Sequence, residues 1–364
     1  MKLNIQCPIN TLSYGYVSSY FIKELLKKQY DIRHINIGQP DPDENIAPFI
    51  KDAISRWDFF YDAPCLKIWH QHDLYSFTGK GPSIGFPIFE LEEFNPLESH
   101  SLGYPDSLIT CSEWGRQALI NNNPSRWKTS HVVPLGYDDD IFKPIGLPLQ
   151  DTTVFGNFGK FEVRKGHDVL IEAFNKAFGK NDDVKLLMMP HNMFLSQEET
   201  NHWLKLYYQS KLGDKIEFVN RVKTQEMAYN IMSNVHCGIF PARAEGWNLE
   251  ALELLASGRH LIITNCTGHT EFCNKDNSRL IEMESGFETA SDGKFFNGQG
   301  SWRSIKDNEI DQMVNHMREV HRLHQDGLLK INTGGIDSVK KFTWSNVTDT
   351  LDRTLKLILR SYDA

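Results

Sequence analysis

Short apolar runs alternate with helical stretches through the first part of the chain: LNIQCP, SSYFIKELLKKQ, DIRHINIG, then LKIWHQ, SIGFPIF, SLITC and HVVPLG. Strands alternating with helices predict a parallel, doubly wound sheet. After HVVPLGYDDDIFKP comes PIGLPLQD, short and rich in Pro and Gly. The alternation then restarts with TTVFGNFG, HDVLIEAFNKAF, DVKLLMMP, KIEFVN, CGIFP and HLIITN. Such a linker between two runs predicts a domain boundary near residue 146, dividing the chain into an N-terminal domain, 1–146, and a C-terminal one, 147–343. The last segment, SNVTDTLDRTLKLILRSYDA, places Val347, Leu351, Leu355 and Ile358 at helical spacing. Residues 344–364 therefore read as an amphipathic helix. The pattern does not choose its partner; the N-terminal domain, which the helix would then complete, is one candidate.

Length supports two domains, since 364 residues exceed what one core usually organises. Apolar content of 40% and charged content of 24% are those of a globular chain, and no stretch approaches the roughly 18 apolar residues of a membrane span. The opening MKLNIQCPINTLSYG lacks the apolar run of a signal peptide and reads as a first strand. The six cysteines lie mostly in strand-like segments, as reduced thiols would in a cytoplasmic protein. A net charge of −8 without long Lys or Arg runs makes nucleic acid an unexpected partner.

Ligands of doubly wound sheets bind outside the carboxyl ends of the strands, so two such domains predict a site in a cleft between them. The stretch CGIFPARAEGWNLEALELLASGRHLIITN reads as strand, loop, helix, turn, strand, with Gly258 ending the helix and Glu245 in the loop ahead of it. On a helical wheel Glu253 shares a stripe with Leu249, Leu252 and Ala256, so its carboxylate points inward and needs a partner. That partner is either an Arg or backbone amide within the domain, or the hydroxyls of a ligand. In the second case the amides at the helix start face an anion, and Gly246 permits close approach.

With Glu245 and Glu253 separated by seven residues in a Glu-Gly-aromatic-x-Leu context, the segment resembles the signature of retaining GT-B glycosyltransferases, family 4 type (glycosyl transferases group 1). The resemblance implies an α/β chain of two Rossmann-like domains facing each other across a cleft. It also implies that Glu245 contacts the donor sugar and Glu253 the ribose, with Gly246, Trp247, Asn248 and Leu249 lining sugar and phosphate. Asn248 stands where a Gly is common, and it would narrow the pocket.

Further motifs occur in the family's order. GKFEVRKGHDVLIEAF resembles its basic loop, which implies that Lys160 and Lys165, with Arg164 between them, clamp the donor diphosphate and offset charge on the leaving group. A solvated basic turn is the plainer reading of those residues alone. TNCTGHTEF resembles the Gly-rich loop before a Glu, making Thr267, Gly268, His269, Thr270 and Glu271 donor contacts. Cys266, His269 and Cys273 lack a second pair at zinc spacing, and no metal is expected. In the N-terminal half, Gly15, next to Ser13 and Tyr14, matches the Gly that lies against donor phosphate or acceptor. His70, His72 and Asp73 stand at a strand end, where alternation would put both imidazoles on one face. They read as acceptor or sugar contacts, or as ordinary loop polars. Phe89 and Glu90 replace the pocket His of many relatives, and Glu90 becomes a candidate contact to the transferred sugar or acceptor.

The resemblance implies transfer from a UDP- or GDP-linked sugar to a hydroxyl of a saccharide, lipid or other acceptor. Front-face attack would need neither metal nor further cofactor: Lys160, Lys165 and the helix amides supply the electrostatics, Glu245 orients the sugar and Glu253 the ribose. Fold alone does not fix chemistry. A nucleotide-sugar epimerase or phosphorylase, a non-catalytic nucleotide-sugar binding subunit, and an enzyme that glycosylates a DNA base, opposed by the acidic charge, are the alternatives.

Overall fold

A computed structural model describes residues 1–127 and 130–362. Its contacts divide the chain into two units, one of Met1–Asp138, Lys223–Gln225 and Lys341–Ala364, the other of Asp139–Val222 and Glu226–Lys340.

In the first unit six parallel strands run β1 (Lys2–Cys7), β2 (Asp31–Asn36), β3 (Cys65–Ile68), β4 (Ser83–Phe86), β5 (Ser107–Thr110) and β6 (His131–Val132). They lie in the order β2-β1-β3-β4-β5-β6. The order reverses between β1 and β3, which pair from Asn4 with Cys65 to Gln6 with Lys67. Helix Ser13–Lys27 crosses over from β1 with Tyr16, Tyr20 and Phe21 buried. Against it packs the C-terminal helix, Trp344–Tyr362, which turns Val347, Leu351, Leu355 and Ile358 inward. Trp344 is 2% exposed, stacked on Tyr20 at 5.1 Å and meeting Phe21 edge-on at 5.3 Å. The helix thus belongs to the first unit; the last two residues of the expected 344–364 segment lie outside the described ones.

In the second unit the strands are β7 (Thr153–Asn157), β8 (Val184–Met188), β9 (Ile216–Phe218), β10 (Cys237–Phe240), β11 (His260–Thr264) and β12 (Arg279–Ile281). All pair in parallel, in the order β12-β11-β10-β7-β8-β9. This is the Rossmann arrangement, reversing between β7 and β10. Every residue of β7 and β10 is buried, as strands covered on both faces by helices must be. Helices His167–Ala177 and Asp307–Gln325 pack together over this sheet, closing a core that includes Phe155, Phe174, Ile239, Met313 and Met317. An antiparallel hairpin, β13 (Phe287–Ser291) and β14 (Asn297–Arg303), stands outside the sheet; the apolar pattern does not announce it. Among the described residues no helix is long and apolar enough to cross a membrane.

Candidate active site

A doubly wound sheet offers its binding crevice at the carboxyl ends of the strands flanking the reversal. In the second unit those ends are Asn157 of β7 and Phe240 of β10. The Asn157 amide joins them: its Nδ2 donates to the Ile239 carbonyl at 2.7 Å, and its Oδ1 accepts from the Gly159 amide at 3.2 Å. The loop carrying Lys160, Arg164 and Lys165 then folds onto the loop after β10. Gly166 makes the approach possible, for its φ is +73° and a Cβ there would lie 1.9 Å from the Pro241 carbonyl oxygen. His167, fully buried, hydrogen-bonds the Lys160 carbonyl through Nε2 at 3.0 Å. Burial, reinforced by Lys165, depresses this imidazole to about 4, so it is neutral and its Nε2–H can donate.

Five charged side chains form a continuous row. Lys160 Nζ lies 2.6 Å from Glu162 Oε1, and Glu162 Oε2 lies 2.8 Å from Arg164. Arg164 reaches Glu245 Oε2 at 2.9 Å, and Lys165 Nζ reaches Oε1 at 2.5 Å. Three cations against two carboxylates leave one net positive charge. Burial alone would push the Glu245 carboxyl up, but Arg164 and then Lys165 override it and hold the group well below the usual carboxylate range. Lys165 is raised in turn: burial opposes its charge and Glu245 restores it. Glu245 is thus a carboxylate fixed between two cations. Lys160 is the most accessible of the three, its side chain 38% exposed against 4% for Arg164 and 12% for Lys165. Its ammonium lies over the rings of Phe194 at 5.5 Å and Phe295 at 5.4 Å.

The Glu245 backbone is held as firmly. Its amide donates to Thr267 Oγ1 at 2.9 Å, and its carbonyl accepts from the Gly268 amide at 2.8 Å. A Cβ on Gly268 would come within 2.3 Å of the Gly246 carbonyl oxygen, so the Thr267–Glu271 turn and the Glu245–Gly246 backbone are in direct contact. Thr267 takes φ 50°, unusual for a β-branched residue, while its hydroxyl accepts that bond. Thr270 is exposed, Glu271 half-buried, and His269 fully buried.

Helix Leu249–Ala256 follows, with Asn248 as its N-cap at φ 94° and Asn248 Oδ1 accepting from the Ala251 amide at 3.1 Å. The left-handed backbone suits an Asn, which is among the few residues other than glycine that tolerate it. Asn248 is 6% exposed, with its amide nitrogen against the His269 ring. Trp247 is buried against Phe272, ring centroids 5.3 Å apart. Glu253 is 3% exposed, but every residue from Ala251 to Ala256 is buried, so its burial follows from the helix's central place more than from one stripe. The carboxyl end of this helix is closed by Gly258 at φ +79°.

The structure also assigns work to residues whose roles the sequence left unnoticed. Glu162 lies within the quoted basic loop, and its part emerges only from the folded row. Arg243, from the loop after β10, makes a two-pronged pair with Asp168 at 2.9 and 2.7 Å, reaches Glu288 of β13 at 2.8 Å, and donates to the Val163 carbonyl at 2.6 Å. It ties basic loop, helix start and hairpin together.

In the first unit, the reversal between β1 and β3 gathers another polar group. Gly15 opens the helix after β1, and a Cβ there would meet the Asn10 amide nitrogen at 2.3 Å. Tyr14 donates its hydroxyl to the Ile88 carbonyl at 2.6 Å and lies 4.6 Å from the His70 ring. Burial, and then the Glu90 carboxylate, push the Tyr14 phenol up, which puts Glu90 beside it. His70 and His72 stack at 5.2 Å and 16°. Strand alternation is not what pairs them, because β3 ends at Ile68 and Gln71–Asp73 form a 3₁₀ turn. Asp73 is bonded by Trp69 Nε1 at 3.1 Å, with buried Lys67 at 3.6 Å. Phe89 belongs to an apolar cluster with Leu102 and Leu119.

Two Rossmann-like units with charged loops at their switch points define the class of GT-B proteins. Known structures agree: sucrose-phosphate synthase of Thermosynechococcus elongatus superposes with a TM-score of 0.69 at 13% identity, covering 99% of this chain and 100% of that one. HepE of Anabaena, solved with UDP-glucose, gives 0.66 at 13% identity, covering 98% and 99%. Residues 152–291 match the family model of glycosyl transferases group 1. Over that segment the chain is similar to the group 1 glycosyltransferases. In sequence it is similar to mannosylfructose-phosphate synthase of Agrobacterium fabrum, 24% identical over 277 residues, which are 66% of this chain and span 60% of that relative's length.

Proposed function

We propose that the protein transfers a sugar from a nucleoside diphosphate donor to an acceptor hydroxyl with retention at the anomeric carbon. The observation that carries this reading is the row Lys160, Glu162, Arg164, Glu245 and Lys165 at the switch point of the second sheet, beside the start of helix Leu249–Ala256. A diphosphate is what a net positive row and a helix N-terminus attract. As the glycosidic bond breaks, charge grows on the leaving phosphate, and Lys165, Lys160 and the helix amides stabilise it. Glu245, bonded to two cations, is a poor nucleophile and a good acceptor of bonds from sugar hydroxyls. Front-face attack follows, with the leaving phosphate taking the acceptor proton and no metal needed. Glu253 holds the ribose in this reading. Gly246, Trp247, Leu249 and the turn Thr267–Glu271 frame the donor, while Tyr14, Gly15, His70, His72, Asp73 and Glu90 serve the acceptor or sugar. The six cysteines are free and buried, which suits a reducing compartment, and we place the activity in the cytoplasm.

UDP-glucose, bound by the Anabaena neighbour, is the first donor to try; GDP-sugars form the second arm. Titration calorimetry with UDP, GDP and their sugars, followed by NMR of the product's anomeric coupling with saccharide and sugar-phosphate acceptors, tests the reading. Binding of one nucleotide family and an axial-to-axial or equatorial-to-equatorial outcome are expected. An inverted product would remove the front-face mechanism, and lack of binding by every nucleotide would remove the donor site.

A further inference from the structure

We infer that His269 and Asn248 are a matched pair of positioning residues that set the start of helix Leu249–Ala256, and with it the donor site. This rests on the glycosyl-transfer reading for its functional consequence, though not for its geometry. His269 has no exposed surface, and Asn248 is 6% exposed.

The bonding pattern fixes both side chains. His269 Nδ1 lies 3.0 Å from the Thr264 carbonyl oxygen, which can only accept, so Nδ1 carries the proton. The Thr264 hydroxyl, 3.2 Å from the same nitrogen, donates its own proton to the Ala242 carbonyl at 2.7 Å and so faces Nδ1 as a second acceptor. Nε2 is then a bare acceptor, and Asn248 Nδ2 donates to it at 3.0 Å. The Asn248 amide is thereby oriented with Oδ1 on the Ala251 amide. One chain of bonds runs from β11 through a neutral imidazole to the helix cap.

The pairing answers a local strain. N-cap residues normally adopt extended backbone, whereas Asn248 stands at φ 94° and ψ 83°. Glycine would take this conformation without support; a residue with a Cβ needs compensation, of which a buried amide bonded through both its oxygen and its nitrogen is a strong form. Helix amides of the first turn that the intrahelical ladder does not reach include those of Leu249 and Glu250. Their direction depends on how the chain turns at Asn248. His269 therefore acts on the diphosphate site through Asn248, and the requirement for it comes from the Asn.

A four-variant cycle tests this: wild type, His269→Ala, Asn248→Gly, and both together, each read by melting temperature and by UDP affinity. His269→Ala should weaken UDP about tenfold and lower the melting temperature by several degrees, and the same change beside Asn248→Gly should cost at most about a third as much by either readout. His269→Gln, which keeps an acceptor near the Nε2 position, should recover most of both losses. A histidine that merely fills space would cost the same in either background, and that result overturns the pairing. If UDP and GDP bind none of the four proteins, the donor reading fails alone; the melting cycle still decides whether the pair exists. As an independent check, ¹⁵N spectra of wild type should show His269 as the neutral Nδ1–H tautomer, and the Nε2–H form would contradict the bond chain.

Discussion

At the scale of single residues, the charges near Glu245 have definite states. Lys165 is bonded to Glu245, with its side chain 12% exposed. Lys165→Met removes one of two cations holding that carboxylate and, under the proposed mechanism, one stabiliser of the leaving phosphate. A fall in kcat on the order of 10²-fold is expected, comparable to loss of one preorganised donor, with a smaller change for Lys160→Met because that side chain is more exposed. Steady-state kinetics of the two variants decide it: equal effects would argue that the row acts only as a general positive field. The buried histidines make a second prediction. His167 and His269 are both held neutral by burial, depressed to about 4. Glu245 opposes that depression at His269, while Lys165 and Arg164 add to it. Their folded values lie below the ordinary value of 6.5, so the unfolded chain binds more protons between 6.5 and about 4. Stability rises with pH across that window and falls as acid is added. Glu245, depressed below the carboxylate range, adds a loss that begins lower, as the pH drops through the ordinary carboxylate value. Urea midpoints measured from pH 7 to 4 should therefore decline, and His269→Gln should flatten the upper part of the slope; a level midpoint would contradict buried, neutral imidazoles.

At the scale of elements, the strands and crossover helices nearest the sites could be read from the chain because their signal is local: short runs of 3 to 6 residues punctuated by turns mark β1 through β5 and β7 through β11. The hairpin β13–β14 could not. Its burial alternates irregularly, its register shifts between Thr289 and Ser291, and what anchors it is Glu288 meeting Arg243 45 residues earlier in the chain. Tertiary ion pairs of that kind leave no periodicity. The site divides the same way. Glu245, Lys160 and Lys165 stood out by motif, while the row that joins them needs Glu162, whose sequence neighbourhood looks like any polar loop. Glycine positions show what sequence could say only in part. Gly166→Ala meets both a left-handed φ and a contact of 1.9 Å with the Pro241 carbonyl. Gly286 has a similar φ, +78°, with nothing within 4 Å of its would-be Cβ. Gly286→Ala should cost about 1 kcal/mol from backbone strain alone, and Gly166→Ala about 2 kcal/mol or more because the loops must separate. Urea unfolding of the two variants measures the difference, and equal costs would mean the basic loop yields freely.

At the scale of the whole molecule, the chain's last helix belongs with its first strands. Trp344 lies among Tyr16, Tyr20 and Phe21, and its backbone begins where Thr343 bridges Tyr137 in parallel. Gly136 leaves room for it, since a Cβ there would lie 2.8 Å from the Trp344 amide nitrogen. An indole 2% exposed and packed on three aromatic rings is expected to contribute about 3–5 kcal/mol against truncation to alanine. That loss falls on the unit that contains it. The core around Phe155, Phe174 and Met313 shares no member with this cluster. Trp344→Ala should therefore accelerate amide exchange in β1, β3 and the helix Ser13–Lys27 far more than in β7, β8 and β10. A saturating nucleotide adds the complementary half of the test: at about 100 times its Kd it should protect the second unit's strands by about 2.7 kcal/mol, in wild type and variant alike. Hydrogen exchange with mass spectrometry resolves both effects in one experiment. Uniform acceleration across the two sheets would mean that the chain unfolds as one cooperative body, and that the C-terminal helix stabilises the second unit as much as the unit it packs in.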